Sequence, residues 1–535
     1  MAALLTTYDS GDRIWSGSKR TFTYTDETSI GKIIFTNMKN WPNNVSQIND
    51  EDGGTVTFNE AITWAIRVAQ IFKKKGFQYP DVIGLPVRNS TYVMSVAVAC
   101  YLNGTPFHAI NPVMDEATMT HVFSITKPKI IFCDGQDYEK VQAASKEWQP
   151  DILTVTDPIK GVPHIQSLLD PTPTEAFYQP EPLKEGSQQT MAILCSSGTT
   201  GLPKAVCISN RSLQHDFPML NSESVVFSFS GLDWSSGLIT FLMGTVIGCT
   251  RIITQKAFSP DYFVRLVEKY KINSVILAPH HMSALINYPG ASKEAMASLR
   301  CIIYIGGFTS MTTLKRVQEL CSNAMLINAY GMTETSSITF NMGLEDVNSV
   351  GKPLPGVRIR IVDEDGKSLG YKEVGEIYVH NGRPWKGYFG NPEETRRMQD
   401  SEGWFHTGDL GYFDEQNRLF VVDRKKEMCK YQGYQYLPSE IEGVISELPQ
   451  VEEVCVVSIY DEEQGDAAGA LVVKRQGVSI TEQEIKDHVA RRLPAMQKQL
   501  HAGVQFTDKL PINSNGKIFR RKAQEEFLAK KKALE

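Results

Sequence analysis

The segment of this sequence that decides most about its fold reads Ser196-Ser197-Gly198-Thr199-Thr200-Gly201-Leu202-Pro203-Lys204. Its two glycines leave backbone N–H groups free to converge on an anion, its four hydroxyl groups add hydrogen-bond donors, and Lys204 adds a positive charge. These are the groups that a bound triphosphate requires. The alternative interpretation is a polar surface loop, which is what a stretch of Gly, Ser and Thr alone usually forms, but this ordered run is far more specific.

The loop differs from a Walker A loop in two places. Counting from Gly198, Pro203 stands where the second glycine should be, and Ala205 replaces the Ser or Thr that would hold magnesium. Apolar runs at Met191–Cys195 and Ala205–Ile208 flank the loop and predict a strand–loop–strand unit. Because no helix follows, no helix dipole contributes, and the loop must hold phosphate with its own N–H and hydroxyl groups.

Helical and strand patterns alternate over most of the chain, which predicts an α/β fold with helices covering both faces of the sheets. Thr57 and Glu60 form a capping box, apolar residues then recur at helical spacing, and Gly76 ends that helix. Further strand-like runs are Val82–Leu85, Ile130–Cys133, Ser274–Leu277, Cys301–Ile305, Gly375–Val379 and Leu419–Val422.

The pattern changes after the short charged stretch Asp423–Lys426. Two further capping boxes are predicted beyond it, one from Ser439 and Glu442 and one from Thr481 and Glu484. Apolar runs between these boxes read as strands. The sequence therefore predicts a separate α+β domain of about 110 residues at the C-terminal end.

Composition excludes several classes of protein. The chain has 535 residues, 41% of them hydrophobic and 22% charged, and a formal net charge of −6, so no basic field favours nucleic acid or an anionic membrane. Its nine cysteines form no Cys-x-x-Cys pair, which argues against a disulfide framework or a zinc site and fits a reducing compartment.

The sequence lacks the usual patterns of secreted and membrane-spanning proteins, which favours an intracellular protein. The first residues lack the pattern of a secretory signal, and the longest apolar stretch, Gly237–Cys249, is shorter than a bilayer span. A buried helix or strand pair is the better interpretation of that stretch. The chain ends in Ala533-Leu534-Glu535, which is not a Ser-Lys-Leu type of address, so a cytoplasmic location is favoured over a peroxisomal one.

The run Ser196–Lys204 resembles the signature loop of the adenylate-forming superfamily, which includes acyl-CoA synthetases, 4-coumarate–CoA ligases and firefly luciferases. The similarity extends from about residue 30 to about residue 525 and looks closest to the luciferase-like acyl-CoA ligases of insects. It implies a large N-terminal lobe of helix-flanked β-sheets with a small β-barrel subdomain, and a small mobile α+β C-terminal domain. The predicted division is 1–422 for the N-terminal lobe, 423–426 for a hinge centred on Lys426, and 427–535 for the mobile domain.

The resemblance assigns roles in ATP binding to several motifs. It implies that Tyr330 stacks on adenine, Thr333 bonds the α-phosphate and Glu334 helps to hold Mg²⁺, a hard cation that prefers oxygen ligands. Asp409 would accept the ribose hydroxyls, and Arg424 would contact ribose and phosphate. Taken alone, these residues could be a core aromatic, solvated charges or a turn residue. The full predicted nucleotide set is Ser196, Ser197, Gly198, Thr199, Thr200, Gly201, Lys204, Asn328, Ala329, Tyr330, Gly331, Thr333, Asp409, Arg424 and Lys517.

The C-terminal domain would serve two half-reactions in turn. By resemblance, Lys517 enters the site for adenylation, although a lysine near a C-terminus would ordinarily be solvent-exposed. Lys430 and Gly433 would serve the second half-reaction beside the channel for the CoA thiol. A glycine makes sense there, because a narrow channel tolerates no side chain.

The acyl pocket departs from the luciferase pattern. The luciferase histidines fall at about Trp234 and Ser235, and Phe308 follows the glycine pair Gly306 and Gly307 where luciferases have a small residue. These differences put light emission in doubt and indicate an apolar pocket for a medium- or long-chain fatty acid or an aromatic acid. The adjacent residues His280 and His281 invite a metal site, but on a strand they would face opposite sides, which favours a structural role.

These expectations combine into an ATP-dependent carboxylic acid–CoA ligase that acts through an acyl-adenylate and requires Mg²⁺. Its catalytic residues would be Lys517, Lys430, Thr333 and Lys204. The alternatives are luciferase-like oxidation of the adenylate, another thiol acceptor, and a non-catalytic nucleotide or acyl-ligand binder. The expected partners are a small carboxylic acid, ATP and CoA, without nucleic acid, and the sequence leaves the oligomeric state open.

Overall fold

The computed structural model describes residues 5–196, 202–215, 217, 219–307, 309, 311–343, 348–512 and 518–534. Seven predicted site residues lie outside these ranges: Ser197, Gly198, Thr199, Thr200, Gly201, Phe308 and Lys517.

The strands are β1 (Thr6–Asp9), β2 (Ile14–Gly17), β3 (Val45–Asn49), β4 (Thr55–Thr57), β5 (Ile83–Leu85), β6 (Phe107–Ala109), β7 (Ile130–Cys133), β8 (Asp151–Thr154), β9 (Thr190–Cys195), β10 (Ala205–Ser209), β11 (Val225–Ser228), β12 (Thr250–Ile253), β13 (Ser274–Leu277), β14 (Cys301–Ile305), β15 (Met325–Met332), β16 (Ser336–Met342), β17 (Lys352–Pro353), β18 (Arg358–Val362), β19 (Gly375–His380), β20 (Phe405–Phe413), β21 (Leu419–Arg424), β22 (Cys429–Tyr431), β23 (Tyr434–Tyr436), β24 (Val451–Asp461), β25 (Gly465–Lys474) and β26 (Gly503–Thr507).

The helices are α1 (Ile30–Met38), α2 (Phe58–Lys74), α3 (Val93–Asn103), α4 (Glu116–Thr126), α5 (Tyr138–Ala144), α6 (Asn210–Leu213), α7 (Ser235–Ile247), α8 (Pro260–Tyr270), α9 (Pro279–Asn287), α10 (Met311–Leu320), α11 (Pro392–Met398), α12 (Pro438–Ile445), α13 (Glu482–Arg492) and α14 (Arg520–Leu534).

Two sheets with mainly parallel central strands form most of the N-terminal lobe. The larger has nine strands in the order β17-β16-β15-β14-β13-β11-β12-β3-β4, and its central neighbours from β15 to β3 pair in parallel. The smaller has six strands in the order β10-β9-β6-β5-β7-β8. Parallel strands need crossover helices, which explains the alternating pattern of the sequence. In such sheets ligands bind at the carboxyl ends of the strands.

The predicted strand–loop–strand unit is confirmed. Strands β9 and β10 pair antiparallel, with Ala205 opposite Cys195. The first and last residues of the loop are also bonded, since the Ser196 N–H donates to the carbonyl of Lys204 at 2.8 Å. This hairpin fixes where Lys204 leaves the loop.

A third sheet is entirely antiparallel, in the order β1-β2-β18-β19-β20-β21, and occupies the place of the small barrel that the resemblance implies. Trp15 is fully buried in its core and stacks on Phe413 with ring centroids 4.2 Å apart. Among the described residues the sheet ends at β1 and β21, and the outer side of β21 is bonded further at Leu419, which forms an antiparallel bridge with Gly351. This sheet carries two predicted site residues, Asp409 and Arg424.

The C-terminal part forms a separate mixed sheet, in the order β23-β22-β25-β24 with β26 pairing on β25. Helices α12 and α13 bury Ile441 and Val489 in the apolar core on one side, and α14 buries Phe527 in the core on the other. The expected α/β fold class with a large N-terminal lobe and a small α+β C-terminal part is therefore confirmed.

Two of the three predicted capping boxes are confirmed. Thr57 with Glu60 begins α2, and Thr481 with Glu484 begins α13. The third is wrong, because α12 begins at Pro438 and its N-cap is Leu437, which places Ser439 inside the first turn. The Ser439 hydroxyl instead donates to the carbonyl of Val422 at 2.6 Å, so it ties α12 to strand β21.

The prediction for His280 and His281 is wrong about local structure, since both lie on helix α9. Their rings pack together with centroids 4.2 Å apart, and His281 stacks on Phe258 at 4.1 Å. Burial lowers the pKa of His281 to about 3, which keeps the ring neutral. Both residues are half-buried and pack against neighbouring rings, and a structural role for them stays a prediction.

The longest apolar stretch of the sequence forms helix α7, which is largely buried. Among the residues that the structure describes, no helix is long and apolar enough to cross a membrane.

Candidate active site

Strand β10 brings a distant segment against Lys204. The Phe389 N–H donates to the Ala205 carbonyl at 2.8 Å, and the Cys207 N–H donates to the Gly387 carbonyl at 3.1 Å. This pairing places the ring of Tyr388 5.1 Å from the Lys204 ammonium. Gly387 is required here, because its φ is +89° and a Cβ atom would lie 2.3 Å from Thr395.

The Lys204 ammonium forms an ion pair with the carboxylate of Glu394, in the first turn of α11. The hydrogen bond from Lys204, together with its positive charge, lowers the pKa of Glu394 against the effect of burial, so this carboxylate is ionised at neutral pH. Lys204 is thus held between a carboxylate and an aromatic face at the exit of the predicted phosphate loop.

Glu334 lies in the turn between β15 and β16 and accepts a hydrogen bond from the Tyr388 hydroxyl at 2.7 Å. Burial raises the pKa of Glu334, while this hydrogen bond and the charge of Lys204 oppose the rise. A cation beside the carboxylate would favour its ionised form further. An anionic oxygen donor with this environment fits the Mg²⁺ ligand that the resemblance implies.

Asp409 and Arg424 are cross-strand neighbours in the antiparallel pair of β20 and β21. The Arg424 Nε lies 3.3 Å from Asp409 Oδ1, and the Tyr330 hydroxyl donates to Asp409 Oδ2 at 2.7 Å. Burial raises the pKa of Tyr330 well above its ordinary value. Tyr330 and Arg424, which are predicted to contact adenine and ribose, therefore both bind the carboxylate of Asp409, the predicted ribose ligand.

The rest of the Asn328–Thr333 motif forms the end of β15 and the turn that follows it. Ala329 is buried, whereas Asn328 and Thr333 are half-buried. At Gly331 the pairing with β16 shifts register, and a Cβ atom there would lie 2.4 Å from the Ser336 carbonyl oxygen. The motif thus needs glycine at this point to bring Glu334 towards Tyr388.

The predicted acyl-pocket residues lie at the ends of neighbouring elements. Gly306 and Gly307 are exposed directly after β14, and Gly306 has a φ of +99°. Trp234 is the N-cap of α7 and is half-buried together with Ser235. Helix α7 packs on strands β11, β12 and β3 of the nine-stranded sheet, and β13 lies between these strands and β14.

One face of strand β14 is only partly covered, although this strand is central in its sheet. Ile302 and Tyr304 are buried, whereas Ile303 and Ile305 are half-exposed. These two isoleucines belong to an apolar cluster that also contains Met243 of α7. The open face therefore presents an apolar surface that ends at Gly306.

The predicted hinge residue Lys426 follows strand β21, which runs two residues further than the sequence indicated, to Arg424. Partial burial lowers the pKa of Lys426, and the positive charges of Arg424 and Lys204 lower it further. The carboxylates of Glu427 and Asp409 act in the opposite direction. Lys426 therefore lies near a cluster of charged side chains, which we call the Lys204 cluster. Its members are Lys204, Glu334, Glu394, Asp409 and Arg424, with Tyr388 and Tyr330 bonded to its carboxylates.

Lys430 and Gly433 lie apart from this cluster, on the hairpin of β22 and β23. Lys430 is exposed, and its backbone N–H donates to Asp466 at 3.0 Å. Gly433 has a φ of +81° in the two-residue turn with Gln432, and a Cβ atom on it would meet nothing within 4 Å. In this arrangement the turn accounts for the glycine, and the expected crowding around Gly433 is absent.

Sequence analysis missed two residues of the cluster, Tyr388 and Glu394. Tyr388 is separated by 54 residues from Glu334, and Glu394 by 190 residues from Lys204. The only local signal was Asn391-Pro392, which marks the start of α11. That signal does not indicate which side chains of α11 face Lys204.

Comparison with known proteins identifies the family of the chain. The profile described as AMP-binding enzyme matches residues 34–389, and the profile described as AMP-binding enzyme C-terminal domain matches residues 440–517. The chain belongs to the AMP-binding enzyme family. It is an adenylate-forming enzyme of the AMP-forming acid–thiol ligase class, whose cofactor and co-substrates are Mg²⁺, ATP and CoA.

Relatives include both ligases and luciferases. The chain is 30% identical over 493 residues to 4-coumarate–CoA ligase 1 of Petroselinum crispum, with 89% of each chain covered. It is 28% identical over 499 residues to luciferin 4-monooxygenase of Photinus pyralis, with 89% of this chain and 90% of that one covered.

Among solved structures, the luciferase-like enzyme from the nonluminescent Zophobas morio mealworm matches 78% of this chain and all of its own chain, with a TM-score of 0.71 and 25% identity. The ATP-bound MatB of Rhodopseudomonas palustris matches 94% of this chain and 99% of its own, with a TM-score of 0.82 and 23% identity. The second likeness supports the fold alone.

Proposed function

We propose that this enzyme joins a medium- or long-chain fatty acid to CoA through an acyl-adenylate, with release of AMP and pyrophosphate. The observation that carries the choice of acid is the half-open apolar face of strand β14 beside Gly306. A sheet interior normally has both faces covered, so an uncovered apolar strip at the predicted acyl pocket favours an apolar ligand.

The shape of this strip favours an extended acyl chain. The apolar side chains that pack together at this strip include Ile303, Ile305, Met243 and Leu220. At the opposite end of β14, Cys301 and Leu220 border a cavity of about 250 Å³, whose other lining residues are mostly polar and include Glu223 and Arg300. Strands rise about 3.3 Å per residue, so the four steps from Ile305 to Cys301 span roughly 13 Å, which suits a chain better than a compact ring.

In the first half-reaction the fatty carboxylate attacks the α-phosphorus of ATP, and pyrophosphate leaves. The carboxylate is ionised at neutral pH, so no general base is needed. The obstacle is that one anion approaches another. Lys204, Lys517 and Thr333 would neutralise and orient the phosphates, and Mg²⁺ held by Glu334 would supply further positive charge when bound.

In the second half-reaction the CoA thiol attacks the acyl-adenylate, and AMP leaves. We infer that the C-terminal domain, residues 427–535, turns about Lys426 so that Lys517 leaves and the face with Lys430 and Gly433 arrives. The exposed position of Lys430, away from the Lys204 cluster, is consistent with a residue that acts only after such a rotation. Roles of the remaining predicted nucleotide residues are proposed as the resemblance gives them.

The test is release of pyrophosphate with ATP, Mg²⁺ and a series of fatty and aryl acids, with and without CoA. Turnover that requires CoA and favours longer fatty acids supports the proposal. Pyrophosphate without acyl-CoA indicates another acceptor, or oxidation if light or carbon dioxide appears with luciferin. ATP binding without turnover on any acid would leave a non-catalytic binder.

A further inference from the structure

Glu394 contacts two cations from the first turn of α11. One carboxylate oxygen pairs with the Lys204 ammonium, and the other accepts from Arg397 Nη1 at 2.6 Å. The Glu394 side chain is 26% exposed and that of Lys204 is 35% exposed, whereas Arg397 is 67% exposed. The pair with Lys204 is therefore the better shielded of the two and the stronger electrostatically.

Lys204 has no other carboxylate partner among the residues that the structure describes. The carboxylate of Glu334 is engaged by the Tyr388 hydroxyl at 2.7 Å, and the ring of Tyr388 lies 5.1 Å from the Lys204 ammonium. A phosphate group that binds Lys204 must consequently displace Glu394 or approach within range of its negative charge. The Glu394 carboxylate thus occupies the same cation, Lys204, that a negatively charged phosphate oxygen of the nucleotide would pair with.

We propose that Glu394 is an internal counter-ion that occupies Lys204 in the nucleotide-free enzyme and weakens the binding of triphosphate and pyrophosphate. The inference rests on the proposed function, because it takes Lys204 as a ligand of the β- and γ-phosphates. AMP lacks those phosphates, so its affinity should not depend on Glu394. When pyrophosphate forms, Glu394 competes for Lys204 and speeds its departure.

The variant Glu394→Gln removes the charge and retains the shape. We expect ATP to bind about three- to tenfold more tightly, the scale of a partly exposed ion pair. Pyrophosphate should inhibit more strongly by a similar factor, AMP affinity should stay unchanged, and kcat should not rise. The matched control is Glu393→Gln, since Glu393 pairs with Arg397 Nη2 at 2.6 Å but not with Lys204.

Equilibrium binding of ATP and AMP without any acid, together with thermal unfolding, separates this inference from the proposed function, because neither readout needs turnover. Weaker or unchanged ATP binding in Glu394→Gln would overturn the inference, as would equal gains for ATP and AMP or the same gain in Glu393→Gln. If Glu394→Gln unfolds early, Glu394→Ala provides the same comparison. Failure of wild-type turnover would instead count against the proposed function.

Discussion

Removing the Tyr388 hydroxyl should impair adenylation and make it more sensitive to acid. The change Tyr388→Phe deletes the donor that lies 2.7 Å from Glu334, while the ring that faces Lys204 is retained. Tyr388 is only 4% exposed, so no bulk water replaces the lost donor freely. A hydrogen bond to a charged group contributes about 1.5–3 kcal/mol, which corresponds to a loss of roughly ten- to hundredfold in kcat/KM for ATP.

The pH dependence follows from the same contact. Burial already raises the pKa of Glu334, and the Tyr388 hydrogen bond holds that rise in check. Loss of the bond raises the pKa further, so the carboxylate protonates at higher pH than before. Activity that depends on ionised Glu334 should therefore fall earlier as the pH is lowered.

The assay is the pH profile of pyrophosphate release at saturating acid, measured for wild type and Tyr388→Phe. The matched control is Tyr270→Phe at the end of α8, which loses a hydrogen bond of 2.7 Å to Asp50 and should leave the profile unchanged. An acid limb at the same pH in all three proteins, with kcat/KM within twofold, would refute the assigned contact.

The remaining predictions concern two backbone positions, Lys517 and the apolar strip along β14. Gly387→Ala should lower the free energy of unfolding by about 1–3 kcal/mol because of its positive φ and the contact with Thr395, as measured by urea denaturation. Gly443→Ala, in the open surface of α12, should instead raise it by about 0.5–1 kcal/mol. Lys517→Ala should slow adenylation about 100-fold or more and spare thiolation of supplied acyl-adenylate. Ile303→Trp, at a half-exposed position of β14, should fill the apolar strip and reduce kcat/KM about tenfold or more for the longest acids, with shorter acids less affected, as measured across a chain-length series.

Specific outcomes would contradict each of these. Equal stabilities of the two glycine variants would show that the backbone at residue 387 is not constrained. Equal losses in both half-reactions of Lys517→Ala would remove the two-state use of the C-terminal domain. A uniform loss over all acids in Ile303→Trp would place the acyl chain elsewhere.

The features that sequence alone predicted depend on neighbours in the chain. The capping boxes at Thr57 and Thr481 need residues only three positions apart, and both are confirmed. The hairpin of β9 and β10 follows from two apolar runs around a short loop, and it too is confirmed. Ser439 shows the limit of this reasoning, because Pro438 takes the first helical position and moves the cap to Leu437.

Contacts between distant parts of the chain could not be predicted in this way. Tyr388 reaches Glu334 only because the segment after residue 386 pairs with β10. That pairing is determined by tertiary packing and not by the local sequence. The ion pair of Glu394 and Lys204 depends on the same pairing. The meeting of Asp409 with Arg424 depends on the register of β20 and β21, which a single sequence does not encode locally.

The central claim is that a fatty carboxylate oxygen attacks the α-phosphorus of ATP at this site. The most direct test uses a fatty acid whose carboxylate carries a heavy oxygen isotope, with ATP, Mg²⁺ and CoA, followed by mass spectrometry of the products. We predict AMP that carries one heavy oxygen, together with acyl-CoA and unlabelled pyrophosphate. Unlabelled AMP, or label in inorganic phosphate with ADP as product, would contradict the account.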